Sequence, residues 1–327
     1  VNASTEKAPA LRPLGVGELL DRAVTLCVRH FGAFALIYLA FALPLAICQF
    51  YGGGDSARVV GAIVDAFRNT GGKPPDPAAI NRAIASSAPE RAYSYALFFL
   101  TLLAGPLPAA ALISATSRAY LGERIAFAPS YRTALRKWLP LLGVEVLYGV
   151  AGVIVYLLAL VLTILIALAL VFLAAAVRWL ALVVSIVLGI ALAIAIALGV
   201  TLIVLAAQIS FFACVVEDAP FVAAFAAGVS RVFGAGHLRR SLGVGLAYVA
   251  IWFGIFLVSA AGQSILLGLL RSNILGTAYS TLLSVGTVGF TTAFMAIYYY
   301  DLRVRSEGLD LQLEAQRTGL LADPSAG

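Results

Sequence analysis

Charge is scarce in this chain. Asp, Glu, Lys and Arg supply 12% of its 327 residues, about half the ~25% of an ordinary globular domain. A domain folded in water needs a polar face on each surface helix, and this composition cannot provide one. Histidine is almost missing, with His30 and His237 the only two. No His, Cys, Asp and Glu grouping has the spacing of a metal site, so neither a metal nor another cofactor is expected. Cys27, Cys48 and Cys214 are scattered without a Cys-x-x-Cys pair and read as small apolar residues of a bundle. The chain also lacks a Ser-His-Asp set and an HExxH motif. Its Gly52-Gly53-Gly54 run has no strand and helix around it to make a phosphate loop. These absences argue against an enzyme. The net charge of +6 does not argue for nucleic acid, because the basic residues sit in short segments beside apolar runs instead of forming a stripe.

What the chain has is apolar length. Hydrophobic residues make up 62% of it, with a mean hydropathy of +0.99. Between Leu139 and Val216 only Glu145 and Arg178 are charged. A run far beyond ~18 apolar residues reads as membrane-spanning. Arg178-Trp179 falls near the midpoint, where a hairpin can turn. Residues 140–177 as one helix measure roughly 57 Å, nearly twice the ~30 Å of a hydrocarbon core. Four short spans are the alternative, but no Pro, Asn or Asp marks turns near Leu158 or Gly199. Two very long helices, tilted or broken at Gly189 and Gly199, are the expectation. Their apolar ends then need an apolar neighbour.

The fold class expected is an all-α polytopic membrane bundle of about six transmembrane helices. The spans lie at 32–50, 93–117, 140–177, 180–216, 242–270 and 275–300. Pro44 is placed to kink the first; Gly105, Pro106 and Pro108 to bend the second. A flexible tail (1–13) precedes this single membrane domain (14–300), an extramembrane loop (51–92) interrupts it, and a tail (301–327) follows.

Three segments read as interfacial amphipathic helices, with lipid as their partner. The first carries apolar residues from Val16 to Phe31 at helical spacing and ends in Arg29-His30. The second starts at Pro129 and ends in Arg136-Lys137-Trp138, after which Pro140 opens the third span. The third runs from Phe221 to Arg239-Arg240. Each precedes a helical hairpin, which suggests a threefold internal repeat. The segments 1–33, 118–138, 217–242 and 301–327 hold 4, 5, 3 and 3 Lys and Arg residues. That bias over short loops places both termini in the cytoplasm. Nineteen arginines against three lysines hint at a GC-rich bacterial genome, hence a bacterial inner membrane. Tyr298-Tyr299-Tyr300 reads as an aromatic belt at the exit from the membrane.

The opening Arg12-Pro13-Leu14-Gly15-Val16-Gly17-Glu18-Leu19-Leu20-Asp21-Arg22-Ala23 resembles the start of the bacterial glycerophosphoryl diester phosphodiesterase membrane-domain family. Val215-Val216-Glu217-Asp218 with Ser230-Arg231, before the basic Arg239-Arg240 stretch, and the ending Tyr300-Asp301-Leu302-Arg303-Val304-Arg305-Ser306-Glu307-Gly308-Leu309-Asp310-Leu311, are similar to the same family. The resemblance implies a six-helix membrane domain, sometimes fused to a soluble phosphodiesterase barrel. That barrel is not among these residues, so its activity is not implied.

Two side chains within the spans are candidates for function. Glu145 is an intramembrane carboxylate, costly to bury and therefore a functional candidate by default. The competing reading is that it reaches the interface or pairs with Arg136. Gln208 reads as interhelical glue or as a substrate ligand. Gly276, Thr277, Ser280, Thr281, Ser284 and Thr287, with Gly262 on the preceding span, form a small and hydroxyl face suited to close helix packing. The function these features imply is non-catalytic: a membrane scaffold or accessory subunit whose apolar hairpin docks another membrane protein or a second copy. A small-solute or lipid transporter using Glu145, Gln208 and the hydroxyl face is the alternative. An enzyme acting on lipid head groups is a third.

Overall fold

The computed structural model describes residues 14–52, 88–234, 236–270 and 273–307. Among the described residues there are nine helices and no strand. They are α1 (Val16–Arg29), α2 (Phe31–Gly52), α3 (Ala88–Ala104), α4 (Pro106–Tyr120), α5 (Phe127–Ala176), α6 (Arg178–Val216), α7 (Phe221–Phe233), α8 (Leu238–Leu270) and α9 (Asn273–Glu307). Six stretches are long and apolar enough to cross a membrane, lying in α2, across α3 and α4, and in α5, α6, α8 and α9. Helix is the only open-ended element that satisfies its backbone without water. Leu, Ala, Val and Ile at this density therefore become helices.

The second span is made of two helices that meet at Gly105. The Gly105 amide donates to the Thr101 carbonyl at 2.7 Å, and a Cβ at this position would lie 2.7 Å from that oxygen. Pro106 then sits in the first turn of α4, the position where a missing N–H is tolerated. Small residues give α4 its central place. Ala110, Ala111, Ala115 and Ala119 are buried, and α4 packs against α2, α5, α6 and α9. The stripe Leu19, Ala23 and Cys27 of α1 is buried, with α9 its main neighbour. Gly289 of α9 lies beneath that junction, and its open position faces Cys27 and Phe34.

Several expectations need correction. The segment Pro129–Trp138 is not a separate interfacial helix, because α5 runs unbroken from Phe127 through Pro140. Pro140 deprives only the Arg136 carbonyl of its intrahelical donor. That carbonyl lies at the exposed, basic end, where the loss is tolerated. The apolar stripe of α1 packs on protein, while Val24 and Val28 on its flank stay exposed. Tyr298, Tyr299 and Tyr300 are buried in the core, so they do not form a lipid-facing belt. The long block is two helices, as expected, and not four: α5 has 50 residues and α6 has 39, roughly 75 and 58 Å. Their turn is at Val177, which is extended, and α6 continues through Gly189 and Gly199. Both flanks of the expected loop are helical, α2 reaching Gly52 and α3 starting at Ala88. The rest of that loop, the tail 1–13 and residues 308–327 lie outside the described residues. Helix α9 continues past residue 300 to Glu307.

Candidate functional site

Three features stand out: a charged end, a pair of cavities deeper in the bundle, and the far half of the α5–α6 hairpin.

The charged end is built on Asp301, whose side chain is 0% exposed. It directly follows the buried tyrosines, so the helix that packs them carries the carboxylate inward. Arg240 pairs with it at 2.6 Å, its Nε donating at 2.8 Å. Arg305, one turn further along α9, pairs at 3.1 Å. The Leu14 amide donates to Asp301 at 2.7 Å, and the Leu14 carbonyl accepts from Arg240 at 2.7 Å and Arg305 at 3.2 Å. One carboxylate thus ties the start of the described chain, the first turn of α8 and the end of α9 together. Beside it, Glu217 pairs with Arg231 at 2.7 Å and Arg303 at 3.6 Å, and accepts the Tyr299 hydroxyl. Both guanidinium groups lie over the Tyr299 ring, 5.6 and 5.9 Å from its centre. Ser241 donates to the Val232 carbonyl at 3.1 Å, which leaves the Tyr298 hydroxyl to donate to Ser241 at 2.9 Å. Asp218 takes a positive φ of 63° and pairs with Lys137.

The expected interface residues divide between this network and the surface. Arg240 and Lys137 join ion pairs, and Trp138 Nε1 donates to the Leu103 carbonyl at 2.6 Å. Arg29, Arg136 and Arg239 are exposed, and His30 lies against Phe34 with ring centres 6.2 Å apart. Asp301, Glu217, Arg231 and Arg303 stood in the sequence only as parts of the motifs that carry the family resemblance, and Tyr299 only in the expected aromatic belt; none was placed in a site. The available signal was the run Asp301, Arg303, Arg305 directly after three tyrosines, an acid and two bases on adjacent helical turns.

Deeper in the bundle, two cavities flank Gly105 and Ala109. The first, about 310 Å³, is lined by Thr101, Leu102, Pro106, Glu145 and Phe211. The second, about 240 Å³, is lined by Tyr38, Gln208, Tyr248, Trp252, Thr291 and Thr292 among others. Glu145 and Gln208 thus line separate cavities that share Gly105 and Ala109 of the α3–α4 junction. Among the described residues neither makes a hydrogen bond or ion pair; Arg136 does not reach Glu145. Helix rise gives their depth. Glu145 lies eight residues past Lys137, and Gln208 nine before Glu217, roughly 12–14 Å from the charged layer. Half of a ~30 Å hydrocarbon core is about 15 Å, so both belong near the midplane.

The hydroxyl face of α9 is turned on its own helix. Ser284, Thr287, Thr291 and Thr292 donate to carbonyls four residues back at 2.7 to 2.9 Å. Ser280 and Thr281 are half-buried and Gly276 is buried; the side chain of Thr277 lies outside the described residues. Gly262 leaves room for Tyr279, whose hydroxyl donates to the Val258 carbonyl at 2.8 Å. No group of three or more metal-ligating side chains occurs among the described residues.

From Val153 to Val200 no described side chain is buried. Tyr156, Leu158 and Trp179 are 67, 64 and 71% exposed. The two arms of this far half are roughly 35 Å long.

Six apolar helices, with the buried ion pairs gathered at one end, define a multi-pass helical membrane protein. Comparisons with protein-family models, with curated proteins and with solved structures found no match to this chain.

Proposed function

We propose that the protein is a non-catalytic scaffold or accessory subunit of a bacterial inner-membrane assembly, with both termini in the cytoplasm. Membership of the glycerophosphoryl diester phosphodiesterase membrane-domain family, expected from its short motifs, is part of the same proposal. The observation that carries it is the far half of the hairpin, which is apolar, about a membrane thickness long and, among its described residues, without a buried side chain. Counted from Lys137, a ~30 Å core is crossed within about twenty residues, so the tip extends beyond it unless strongly tilted. Apolar surface of this extent is covered in a working protein. Its partner is another membrane protein or a second copy. The excess of Lys and Arg in the short connections of the charged end supports the orientation.

The test is the mass of the gently solubilised complex, with photo-crosslinkers placed between Val155 and Ala197. A defined assembly with cross-links from these positions to a protein neighbour supports the reading. A monomer whose hairpin cross-links only to lipid or detergent overturns it. A second reading, a path for a small solute, is favoured by the two cavities and their unpaired Glu145 and Gln208. Solute flux through reconstituted vesicles that falls in Glu145→Gln would favour it.

A further inference from the structure

The cavity beside Glu145 has a one-sided chemistry. Among the described residues its only charged lining residue is an acid, and no Lys, Arg or His joins it. An anion would meet repulsion there with nothing to neutralise it. Pro106 has no N–H, so the Leu102 carbonyl lacks its usual intrahelical donor, and Leu102 lines the same cavity. Thr101 already spends its hydroxyl proton on the Leu97 carbonyl, at 2.8 Å. Among the described lining residues, the polar groups left without a donor are therefore acceptors: the Glu145 carboxylate, the Leu102 carbonyl and the lone pairs of the Thr101 hydroxyl. Around them Leu102, Pro106, Ala109 and Phe211 supply apolar wall. Beyond Gly105 and Ala109 the second cavity adds the aromatic faces of Tyr38, Tyr248 and Trp252.

Acceptors, one negative charge and an apolar wall near the midplane together select a ligand with N–H donors, one positive charge and a hydrocarbon body. We propose that this cavity binds a small primary alkylammonium ion, with Glu145 as counter-ion and the Leu102 carbonyl as second acceptor. Broken membrane helices place backbone acceptors at mid-depth in this way, and an ammonium paired to a carboxylate there avoids burying either charge alone. The site is independent of the hairpin's proposed docking role, so either can fail without the other.

The probe is hexylammonium, with hexanol as its neutral counterpart and sodium as the inorganic cation, added to the full-length protein in detergent. Binding is read as protection of the Glu145 carboxyl from a hydrophobic carbodiimide, located by peptide mass, and directly by calorimetry. Hexylammonium protects and hexanol does not. Loss of a charge-assisted contact in Glu145→Gln weakens calorimetric binding about ten- to a hundredfold. Pro106→Ala gives the Leu102 carbonyl an intrahelical donor; it weakens binding several-fold while keeping the carboxylate and easing the helix, so the loss is not due to misfolding. Equal protection by hexanol would make the cavity merely apolar and overturn the proposal. Equal protection by sodium would overturn it in favour of a metal-cation site. Undiminished binding in both variants would overturn it outright.

Discussion

From Ala293 to Leu302, at the charged end, every side chain is buried; from Val153 to Val200, on the hairpin, no described side chain is. The two regions are both helical, and the hairpin is the more apolar. In water that ordering would be reversed. In a bilayer, lipid tails are as apolar as Leu, and burial of aliphatic side chains does not drive helices together. Association follows polar groups and small residues instead. The charged end has both, with Asp301, Glu217, Ser241 and Tyr298 paired across elements and Gly228 set against Ser210 and the Ala206 carbonyl. The hairpin's far half is mainly Leu, Ile, Val and Ala, and its two arms, side by side, bury none of their described side chains.

The sharpest way to break this contrast is Asp301→Ala. It leaves Arg240 and Arg305 without their carboxylate and the Leu14 amide without its acceptor. Breaking a buried pair costs about 3–5 kcal/mol, and the unfolding midpoint in detergent should fall accordingly. An unchanged midpoint would mean that the network decorates the bundle without holding it. Gly228→Leu comes next. Its side chain must enter the space held by Ser210 and by the Ala206 backbone, and overpacking costs about 1–3 kcal/mol. The same titration measures it, and tolerance would show that α7 lies loosely on α6. The smallest effect belongs to Leu165→Ala combined with Ile186→Ala, both on the exposed hairpin. The isolated chain should lose no more than about 0.5 kcal/mol, the range of exposed substitutions. A drop above about 1 kcal/mol would show that the hairpin packs on its own bundle.

Much of the architecture was legible in the residues. An uncharged run from Val146 to Val177 can only be membrane helix, and Gly105-Pro106-x-Pro108 announces a break because two of its positions lack an N–H. Leu19, Ala23 and Cys27 mark one helix face by their spacing of four. Other features misled for local reasons. Pro140 reads as a helix start, since sequence does not show that the carbonyl it orphans lies at the exposed end. Three tyrosines at the end of a span read as interfacial, since periodicity does not say which neighbours surround them. Glu145 and Gln208 were visible as polar residues in apolar surroundings, but their placement in two cavities beside the α3–α4 junction was not.

Composition alone determined the class of this protein. Backbone groups in a hydrocarbon medium must pair within their own segment, so apolar runs of this length become spanning helices whatever they pack against. Which helices meet was left to the tertiary structure. Asp301 and Arg240 are 61 residues apart in the chain and Glu217 and Tyr299 are 82 apart. Pairing over such distances depends on how whole helices are placed, and no local propensity encodes it.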